Sequence, residues 1–434
     1  MKNYDKESPS KFISYFDANN LYGWAMIQSL PYGGFKWVNP DEFDLDSVRK
    51  DSKKGHILEV DLEYPKELHD LHNEYPYCPE HIRVTEKMLS KYCKGIAKEH
   101  GVKPSKYTKL MTTLGNKEKY VIHERNLKQA IDAGLILKKI HRVLEFKQKP
   151  WMKKYIEFNT EKRKMAKNDF EKDFFKLMNN SVFGKTMENV RNRKNFKLIC
   201  DKTDFEKYAA KPNFIDGVIF NENLVGVHYI KKDVELNKPI YVGFSILDIS
   251  KTLMYDFHYG YIKKKYDSKA NLLFTDTDSL CYEIRTKNLY EDMYNNKKHF
   301  DLSELSGSKF EKYKDETNKK VLGKMKLECP NSIVKEFIGL KSKMYSISYD
   351  DGLEVKKAKG IVKSVIKKDL KHEKYNDILT SGSKMYSKMK VIRSQKHRIY
   401  TMELNKVSLS AYDDKRYLKK DGIHSFAYGH YRAK

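Results

Sequence analysis

Two aspartates between two apolar runs, near the middle of the chain, constrain the fold more than any other feature of the sequence. Residues 272–274 lead into Asp276 and Asp278, and residues 280–284 lead out, so the sequence predicts a strand, a tight turn and a second strand. Like charges this close raise each other's pKa and resist joint ionisation. Magnesium removes that conflict, because it binds carboxylate oxygens together with substrate phosphates. The alternative is an ordinary hairpin turn, since Asp, Thr and Ser are common turn residues.

A third carboxylate stands near the start of the chain. Residues 12–16 form an apolar-rich approach to Asp17, which is followed by a turn, so this segment also predicts a strand that ends at an acidic residue. Asp17 would complete an acidic cluster with the two hairpin aspartates. A further strand is predicted at residues 57–64, where apolar and charged residues alternate.

A helix is predicted to begin near Asn168 and Asp169, which are good N-cap residues. It has two distinct faces. A cation, an amide, an aromatic ring and a glycine share one face at three- and four-residue steps: Lys176, Asn180, Phe183 and Gly184. The other residues that recur at helical spacing are expected to form one packed stripe: Phe170, Phe174, Leu177, Met178 and Ser181.

These segments, in this order and at these spacings, resemble motifs A, B and C of the family B DNA polymerases, and within that family the protein-primed branch of phages, linear plasmids and self-synthesising DNA transposons. Residues 17–22 are similar to motif A, residues 176–184 to motif B and residues 276–279 to motif C. Residues 341–345 resemble the Lys-x-Tyr motif that contacts the primer end. Residues 357–360 resemble the entry to the thumb.

Four positions depart from the usual motifs of the family. Asn20 replaces a serine and Gly23 a proline in motif A, while Phe183 and Phe274 stand where tyrosine is common in motifs B and C. None of these changes removes a carboxylate. The reaction class that the resemblance implies is therefore unaffected.

The resemblance implies a two-metal active site for phosphoryl transfer. Asp17 and Asp278 are expected to bind both Mg²⁺ ions, with Asp276 as an accessory carboxylate, and Mn²⁺ is an alternative ion. These three aspartates are the expected catalytic and metal-binding residues.

The same resemblance implies roles in nucleotide and DNA binding. Lys176 and Lys164 are expected to hold the triphosphate as point charges, with Arg163 as the alternative to Lys164. Tyr22 is expected to act as the steric gate that excludes a ribose 2′-hydroxyl; its alternative is an ordinary core tyrosine. The residues expected to line the nascent base pair are Asn180 and Phe183, and those expected to contact DNA are Lys343, Tyr345, Lys357, Lys359, Gly184 and Ser181.

The charge of the chain favours a nucleic-acid partner independently of the motifs. There are 85 Lys and Arg residues against 59 Asp and Glu residues, a net charge of +26. Residues 356–434 carry 21 basic and 7 acidic residues, so more than half of this excess lies in the last part of the chain. Tyrosines interleave with the basic residues there, as in surfaces that track a DNA backbone. The alternative is the solvated surface of a lysine-rich protein.

The predicted fold is α+β with the right-hand architecture of polymerases: a palm with an antiparallel sheet, helical fingers and a basic thumb. The predicted domains are the first part of the palm at 1–84, a helical and basic insertion at 85–147 in the position of the family's terminal-protein region, the fingers at 148–190, a second insertion at 191–239, the second part of the palm at 240–354 and the thumb at 355–434.

Members of the family carry an exonuclease domain ahead of motif A, and motif A here begins within the first twenty residues, so we expect that the chain does not proofread.

Five scattered cysteines without a Cys-x-x-Cys pair favour an intracellular, reducing compartment, without distinguishing nucleus, mitochondrion and viral replication site. No apolar stretch of roughly eighteen residues is present, so no membrane partner is expected.

The sequence thus predicts a DNA-directed DNA polymerase that adds deoxynucleotides to a primer 3′-hydroxyl. Its expected partners are primer-template DNA, deoxynucleoside triphosphates and a terminal protein as primer, in the replication of a viral, plasmid or transposon DNA. The alternative is a catalytically silent, DNA-binding remnant of such a polymerase.

Overall fold

Strands and helices are intermixed along the chain, with several runs of consecutive strands. The computed structural model describes residues 10–49, 52–395 and 397–433. Its strands are β1 (Ser10–Ala18), β2 (Leu30–Val38), β3 (Lys54–Glu63), β4 (Glu80–Ile82), β5 (Lys109–Met111), β6 (Lys117–His123), β7 (Ile136–Lys149), β8 (Asn195–Ile199), β9 (Phe214–Asn221), β10 (Leu224–Tyr229), β11 (Ala270–Asp276), β12 (Ser279–Thr286), β13 (Met325–Leu327), β14 (Val334–Lys341), β15 (Met344–Tyr349), β16 (Glu354–Ala358), β17 (Lys384–Gln395), β18 (Arg398–Ser410), β19 (Tyr417–Leu418) and β20 (Ser425–Phe426). Its α-helices are α1 (Leu21–Met26), α2 (His69–His72), α3 (Lys91–His100), α4 (Glu124–Asp132), α5 (Lys153–Met165), α6 (Asp169–Thr186), α7 (Lys202–Ala209), α8 (Ile240–Tyr255), α9 (Lys264–Tyr266), α10 (Leu289–Asn295), α11 (Lys363–Asp369) and α12 (His372–Ser381). The predicted α+β fold is confirmed.

The sheet that carries the three aspartates is antiparallel, with the strand order β11, β12, β1, β13. Side chains alternate between the two faces of β1, so Phe16 and Ala18 are buried in the core while Asp17 projects from the other face. β1 pairs with β12 in a register that sets Asp17 opposite Ser279. The predicted strand at residues 12–16 and the predicted hairpin at residues 272–284 are both confirmed.

A long helical segment packs on the buried side of this sheet. α8 continues into a π-helical segment, Asp256–Lys263, and then into α9. Met254 and Phe257 of this segment belong to the same buried cluster as Phe16 and Tyr282 of the sheet. Because this core lies on the Phe16 side, the opposite side remains for the aspartates.

A second sheet follows the order β2, β7, β3, β6. The predicted strand at residues 57–64 is confirmed as β3, but it belongs to this second sheet. The prediction of a helical segment at 85–147 is wrong in part, since β6 and the fourteen-residue β7 lie within or across it beside α3 and α4. Ile136, Ile140 and Val143 favour a strand through their branched side chains, and β3 supplies the distant hydrogen-bonding partner.

The fingers are a helical hairpin, as predicted. α5 and α6 meet at Asn168, whose side chain accepts a hydrogen bond from the backbone N–H of Glu171 at 2.9 Å. The expected packed stripe on α6 is wrong: Phe170 is 79% exposed and Leu177 is 62% exposed. The buried residues of α6 are Asn179 and Thr186. Periodicity locates an apolar stripe, but the position of α5 and α8 decides which side of the helix is covered.

The remaining elements form smaller units. β8, β10 and β9 form a three-stranded sheet with α7 beside it, and β14, β15 and β16 form another. The long hairpin of β17 and β18 packs with α11 and α12 around Leu370, Tyr375 and Leu409. The C-terminal segment then returns to the first insertion, where the N–H of Leu114 donates to the carbonyl of Tyr428 at 2.8 Å. Within the described ranges, no helix is long and apolar enough to cross a bilayer.

Candidate active site

Asp17 and Asp278 come together because strand pairing joins the end of β1 to the turn between β11 and β12. The backbone N–H of Ala18 donates to the carbonyl of Asp278 at 2.8 Å, and the N–H of Asp278 donates to the carbonyl of Asp276 at 2.7 Å. Thr277 closes the turn with φ +61°, in the left-handed region. Two aspartates that are more than 250 positions apart are thereby held at one edge of the sheet.

The two carboxyl groups are electrostatically crowded. Burial, followed by the charges of Asp278 and Glu328, raises the pKa of Asp17 to about 7. Burial also raises the pKa of Asp278, and the charges of Asp276 and Glu328 add to this rise. The nearby Lys176 acts in the opposite direction on Asp278, although only in part. Lys326 likewise lowers the pKa of Asp17, so the nearby cations offset the crowding of the carboxylates only in part.

Asp276 differs from the other two aspartates because it has a cationic partner. Its carboxylate lies 3.0 Å from the Nζ of Lys343, at the turn between β14 and β15. Lys343 has φ +58°, which directs the turn, and its carbonyl accepts a hydrogen bond from the N–H of Lys359 at 3.1 Å. The Lys-x-Tyr segment is thus tied to the hairpin of Asp276 and Asp278 through a charge pair, and Lys359 is tied to Lys343 by a hydrogen bond.

Tyr345 supports the hairpin from behind. It is only 2% exposed, its ring stacks on Phe274 with centroids 4.3 Å apart, and its hydroxyl is 3.4 Å from that of Tyr15. Burial raises the pKa of Tyr345. The predicted contact of Tyr345 with DNA stays a prediction, because in this structure the side chain packs inside the protein. Lys357, its partner in the register of β15 and β16, is exposed.

Tyr22 stands beside the aspartates at the start of α1. Asn20 caps this helix in a left-handed conformation, φ +41°, and its side chain accepts a hydrogen bond from the N–H of Gly23 at 3.0 Å. The ring of Tyr22 stacks on Phe183 of α6. Burial and then the charge of Asp278 raise the pKa of Tyr22, so the hydroxyl of this tyrosine interacts electrostatically with the acidic centre. The face of α6 that was predicted to carry Phe183 therefore meets motif A.

The basic residues of the fingers occupy two different settings. Lys164 forms an ion pair with Glu161 at 3.6 Å on its own helix. Arg163 instead lines a pocket between the fingers and the palm, and its Nε is buried without a hydrogen-bond partner in the part of the chain that the structure describes. The Oδ1 of Asn180 is likewise buried and unpartnered there. Ser181 and Gly184, which like Asn180 belong to α6, are exposed.

Glu328 is the acidic residue that the sequence reasoning missed. Its backbone N–H donates to the carbonyl of Tyr15 at 3.0 Å, because β13 pairs with β1. This pairing brings its carboxylate next to Asp17, whose pKa it raises through its charge and through a side-chain hydrogen bond. A three-residue strand carries no periodic pattern that could have revealed this neighbour. Only the register of the sheet identifies it.

The chemistry of these side chains fits a hard divalent cation. All the donors are carboxylate oxygens, and burial together with the neighbouring negative charges raises the pKa of Asp17 and of Asp278. A hard cation between them would offset both effects. Among the described residues, no three His, Cys, Asp or Glu side chains are already arranged as a metal-binding group.

This fold and this site define the class of right-hand polymerases. The chain belongs to one family of that class, because the family described as DNA polymerase type B, organellar and viral, matches residues 3–258, more than half of the chain. No curated protein sequence matches the chain.

Solved structures of Phi29 DNA polymerase are similar to the chain in fold. The complex with primer-template DNA and incoming nucleotide substrates has a TM-score of 0.54 and 16% identity, covering 94% of this chain and 60% of that chain. The post-translocation binary complex with primer-template DNA has a TM-score of 0.52 and 16% identity, covering 93% of this chain and 59% of that chain. The predicted right-hand fold is confirmed. The chain spans about 60% of the length of these polymerases.

Proposed function

We propose that the protein catalyses template-directed DNA synthesis, in which a primer 3′-hydroxyl attacks an incoming deoxynucleoside triphosphate and pyrophosphate leaves. One observation carries this proposal: Asp17 and Asp278 converge from distant parts of the chain, next to Tyr22 and within the electrostatic reach of Lys176. An acidic centre that can hold divalent ions and a cation for the phosphates are the groups that nucleotidyl transfer requires at one place. Tyr22 and Phe183 add an aromatic wall beside them.

Asp17 and Asp278 are the residues that would hold two divalent ions, Mg²⁺ or the alternative Mn²⁺, with Asp276 beside them. Such ions, when bound, stabilise the charge that develops on the attacking and leaving oxygens. Burial, followed by the charges of Asp278 and Glu328, raises the pKa of Asp17, and this supports the assignment, since the site favours a cation over two bare carboxylates. Glu328 adds a further negative charge at the same place.

The other side chains bind and orient the substrates. Lys176 provides a positive charge for the triphosphate, with Lys164 and Arg163 on the facing helix. Tyr22 and Phe183 form an aromatic wall against which the sugar and the nascent base pair would pack. Lys343 places a cation beside Asp276, where the primer end would arrive.

The proposed partners are primer-template DNA and deoxynucleoside triphosphates. The exposed Lys357 and Lys359 and the basic C-terminal region support DNA binding through phosphate contacts. Protein-primed replication is part of the proposal on the strength of the motif resemblance. The inserted segment at 85–147 is proposed to contact a terminal protein. The inserted segment at 191–239 is proposed to contact the displaced strand.

Primer extension tests the proposal. The full chain is incubated with a defined primer-template, deoxynucleotides and Mg²⁺, beside Asp278→Asn and the control Asp41→Asn, which changes an exposed aspartate outside the site and outside both insertions. We expect extension by the wild type and the control, and a loss of at least about a hundredfold in Asp278→Asn. DNA binding without extension by the wild type would instead indicate the catalytically silent remnant. Equal extension by Asp278→Asn would contradict the assigned site.

A further inference from the structure

Lys320 lies in a palm loop that faces the fingers, and its position in the sequence is outside every motif. It lines the same pocket as Arg163 and Thr160 of α5, together with Asn19 and Asn20 at the start of α1. This pocket is therefore formed jointly by the fingers and the palm, directly behind the turn that leads to Tyr22.

The loop is fixed to the turn after Asp17 by four hydrogen bonds. The carboxylate of the buried Asp301 accepts from the backbone N–H of Lys320 and from the side-chain Nδ2 of Asn19, each at 2.7 Å. The N–H of Gly323 donates to the carbonyl of Asn19, and the N–H of Asn19 donates to the carbonyl of Lys324, each at 2.8 Å. Asn19 is two residues after Asp17 in the sequence. These hydrogen bonds therefore give Lys320 a defined position relative to the acidic centre.

The backbone of Lys320 is in an uncommon conformation. Its φ is +54°, in the left-handed region that favours glycine or asparagine over lysine. A lysine held there costs conformational energy, and such positions cluster at ligand-binding sites. The neighbouring Lys319 has an ordinary role, because it pairs with Glu316 at 2.7 Å on the surface.

The positive charges of the pocket are offset only in part by the carboxylates of the described residues. In the described ranges Lys320 and Arg163 have no ion pair with a carboxylate, and the buried Nε of Arg163 has no hydrogen-bond partner. Burial, and next the charges of Arg163 and Lys172, lower the pKa of Lys320, and the charge of Glu304 opposes this shift in part. Lys320 and Arg163 therefore line one pocket although they repel, which is an arrangement that a multiply charged anion would stabilise. Lys172 lies outside the pocket lining and pairs with Asp169 at 3.0 Å.

We propose that Lys320 is a nucleotide-binding residue supplied by the palm, which contacts the terminal phosphates of the incoming nucleoside triphosphate together with Arg163 of the fingers. The inference rests on the proposed polymerase function and adds to it a specific consequence. The polyphosphate would bridge palm loop and fingers, so that closure of the fingers depends on a residue outside the three motifs. The pocket adjoins the Tyr22 helix, where the sugar of the same nucleotide would lie.

The test compares wild type, Lys320→Gln, Lys320→Arg and the control Lys319→Gln in the full chain. Calorimetry measures the binding of inorganic tripolyphosphate, a steady-state assay measures kcat and KM for one deoxynucleotide, and fluorescence anisotropy measures primer-template affinity. We expect Lys320→Gln to weaken tripolyphosphate binding and raise KM by about tenfold each, the loss of one charge-assisted hydrogen bond, with kcat changed much less. Lys320→Arg should restore most of the binding, and Lys319→Gln should match the wild type.

Three outcomes would overturn the inference: no binding of tripolyphosphate by the wild type, equal binding by wild type and Lys320→Gln, or a loss of primer-template affinity as large as the loss of tripolyphosphate affinity. The last result would identify a contact with the DNA backbone instead. If tripolyphosphate binding depends on Lys320 but the wild type never extends a primer, the polyphosphate site stands and the proposed polymerase function fails. Thermal unfolding of each variant shows whether the loop has kept its structure.

Discussion

The ring of Tyr22 stacks on the ring of Phe183, with centroids 4.3 Å apart and planes inclined by 29°. One residue belongs to the first turn of the palm helix α1 and the other to the fingers helix α6. Both pack against the cluster around Val242 and Ile246 of α8, which fixes the pair in place. An aromatic wall beside the acidic centre is thus built jointly by palm and fingers.

Replacing Tyr22 by valine should allow ribonucleotides to be incorporated. The change removes a ring from the wall that would exclude a 2′-hydroxyl, and it also removes an aromatic contact of about 0.5–1.5 kcal/mol with Phe183. We expect the ratio of deoxyribonucleotide to ribonucleotide incorporation, measured as kcat/KM, to fall by at least about tenfold. Tyr22→Phe keeps the ring and should keep the discrimination. Unchanged discrimination in Tyr22→Val would show that the ring does not act as a gate.

Asp17 should make the metal-free protein less stable as the pH rises. Its pKa is about 7 in the folded state and 3.8 is the ordinary value, so between these values the folded protein holds a proton that the unfolded chain releases. The free energy of unfolding therefore decreases as the pH rises from about 4 to about 7, and stays lower above that. We expect Asp17→Asn to be more stable than wild type at pH 8, by on the order of 1–3 kcal/mol, and equally stable at pH 4.

Denaturant titrations at pH 4, 6 and 8 without divalent ions check this expectation. Addition of Mg²⁺ at pH 8 should raise the unfolding temperature of the wild type more than that of Asp17→Asn, because ligands stabilise the state that binds them. If wild type and Asp17→Asn respond alike to pH, the carboxyl group of Asp17 does not titrate near neutrality.

Lys343→Gln should weaken primer-template binding while changing stability little. Its ion pair with Asp276 is half exposed on the lysine side, and exposed pairs contribute less than about 1 kcal/mol. If Lys343 also contacts a phosphate, the slope of log affinity against log salt should decrease by roughly one unit. Lys335→Gln, at an exposed lysine of the adjacent β14, is the matched control. An unaltered slope would leave Lys343 with only its structural ion pair.

The aspartates could be predicted from sequence because the chemistry and the local structure agree. Asp17 and the Asp276–Asp278 turn each end a short apolar strand, and motif order then relates the two although they lie far apart. The helical positions of Tyr22 and Phe183 could also be predicted, because both residues belong to the ordered motifs. Their contact with each other could not, since it depends on how α6 approaches α1.

Glu328 and Lys320 could not be predicted because no local pattern marks them. Glu328 reaches Asp17 through the pairing of a three-residue strand, and Lys320 reaches Arg163 through a loop held by Asp301. The misassigned part of residues 85–147 has a related cause, since β7 forms a strand by pairing with β3. In each case a distant segment supplies the hydrogen bonds or charges that decide the outcome.

The fingers should tolerate the loss of Leu177 but not that of Ile156. Leu177 belongs to the apolar stripe of α6 and is 62% exposed, whereas Ile156 of α5 is 0% exposed in the cluster beneath Tyr22. We therefore expect Leu177→Ala to change the free energy of unfolding by less than about 0.5 kcal/mol. Ile156→Ala, which removes a fully buried side chain, should reduce it by about 2–5 kcal/mol. Denaturant titration followed by circular dichroism compares the two variants, and a large loss in Leu177→Ala would show that a partner or a second arrangement of the fingers covers this stripe in solution.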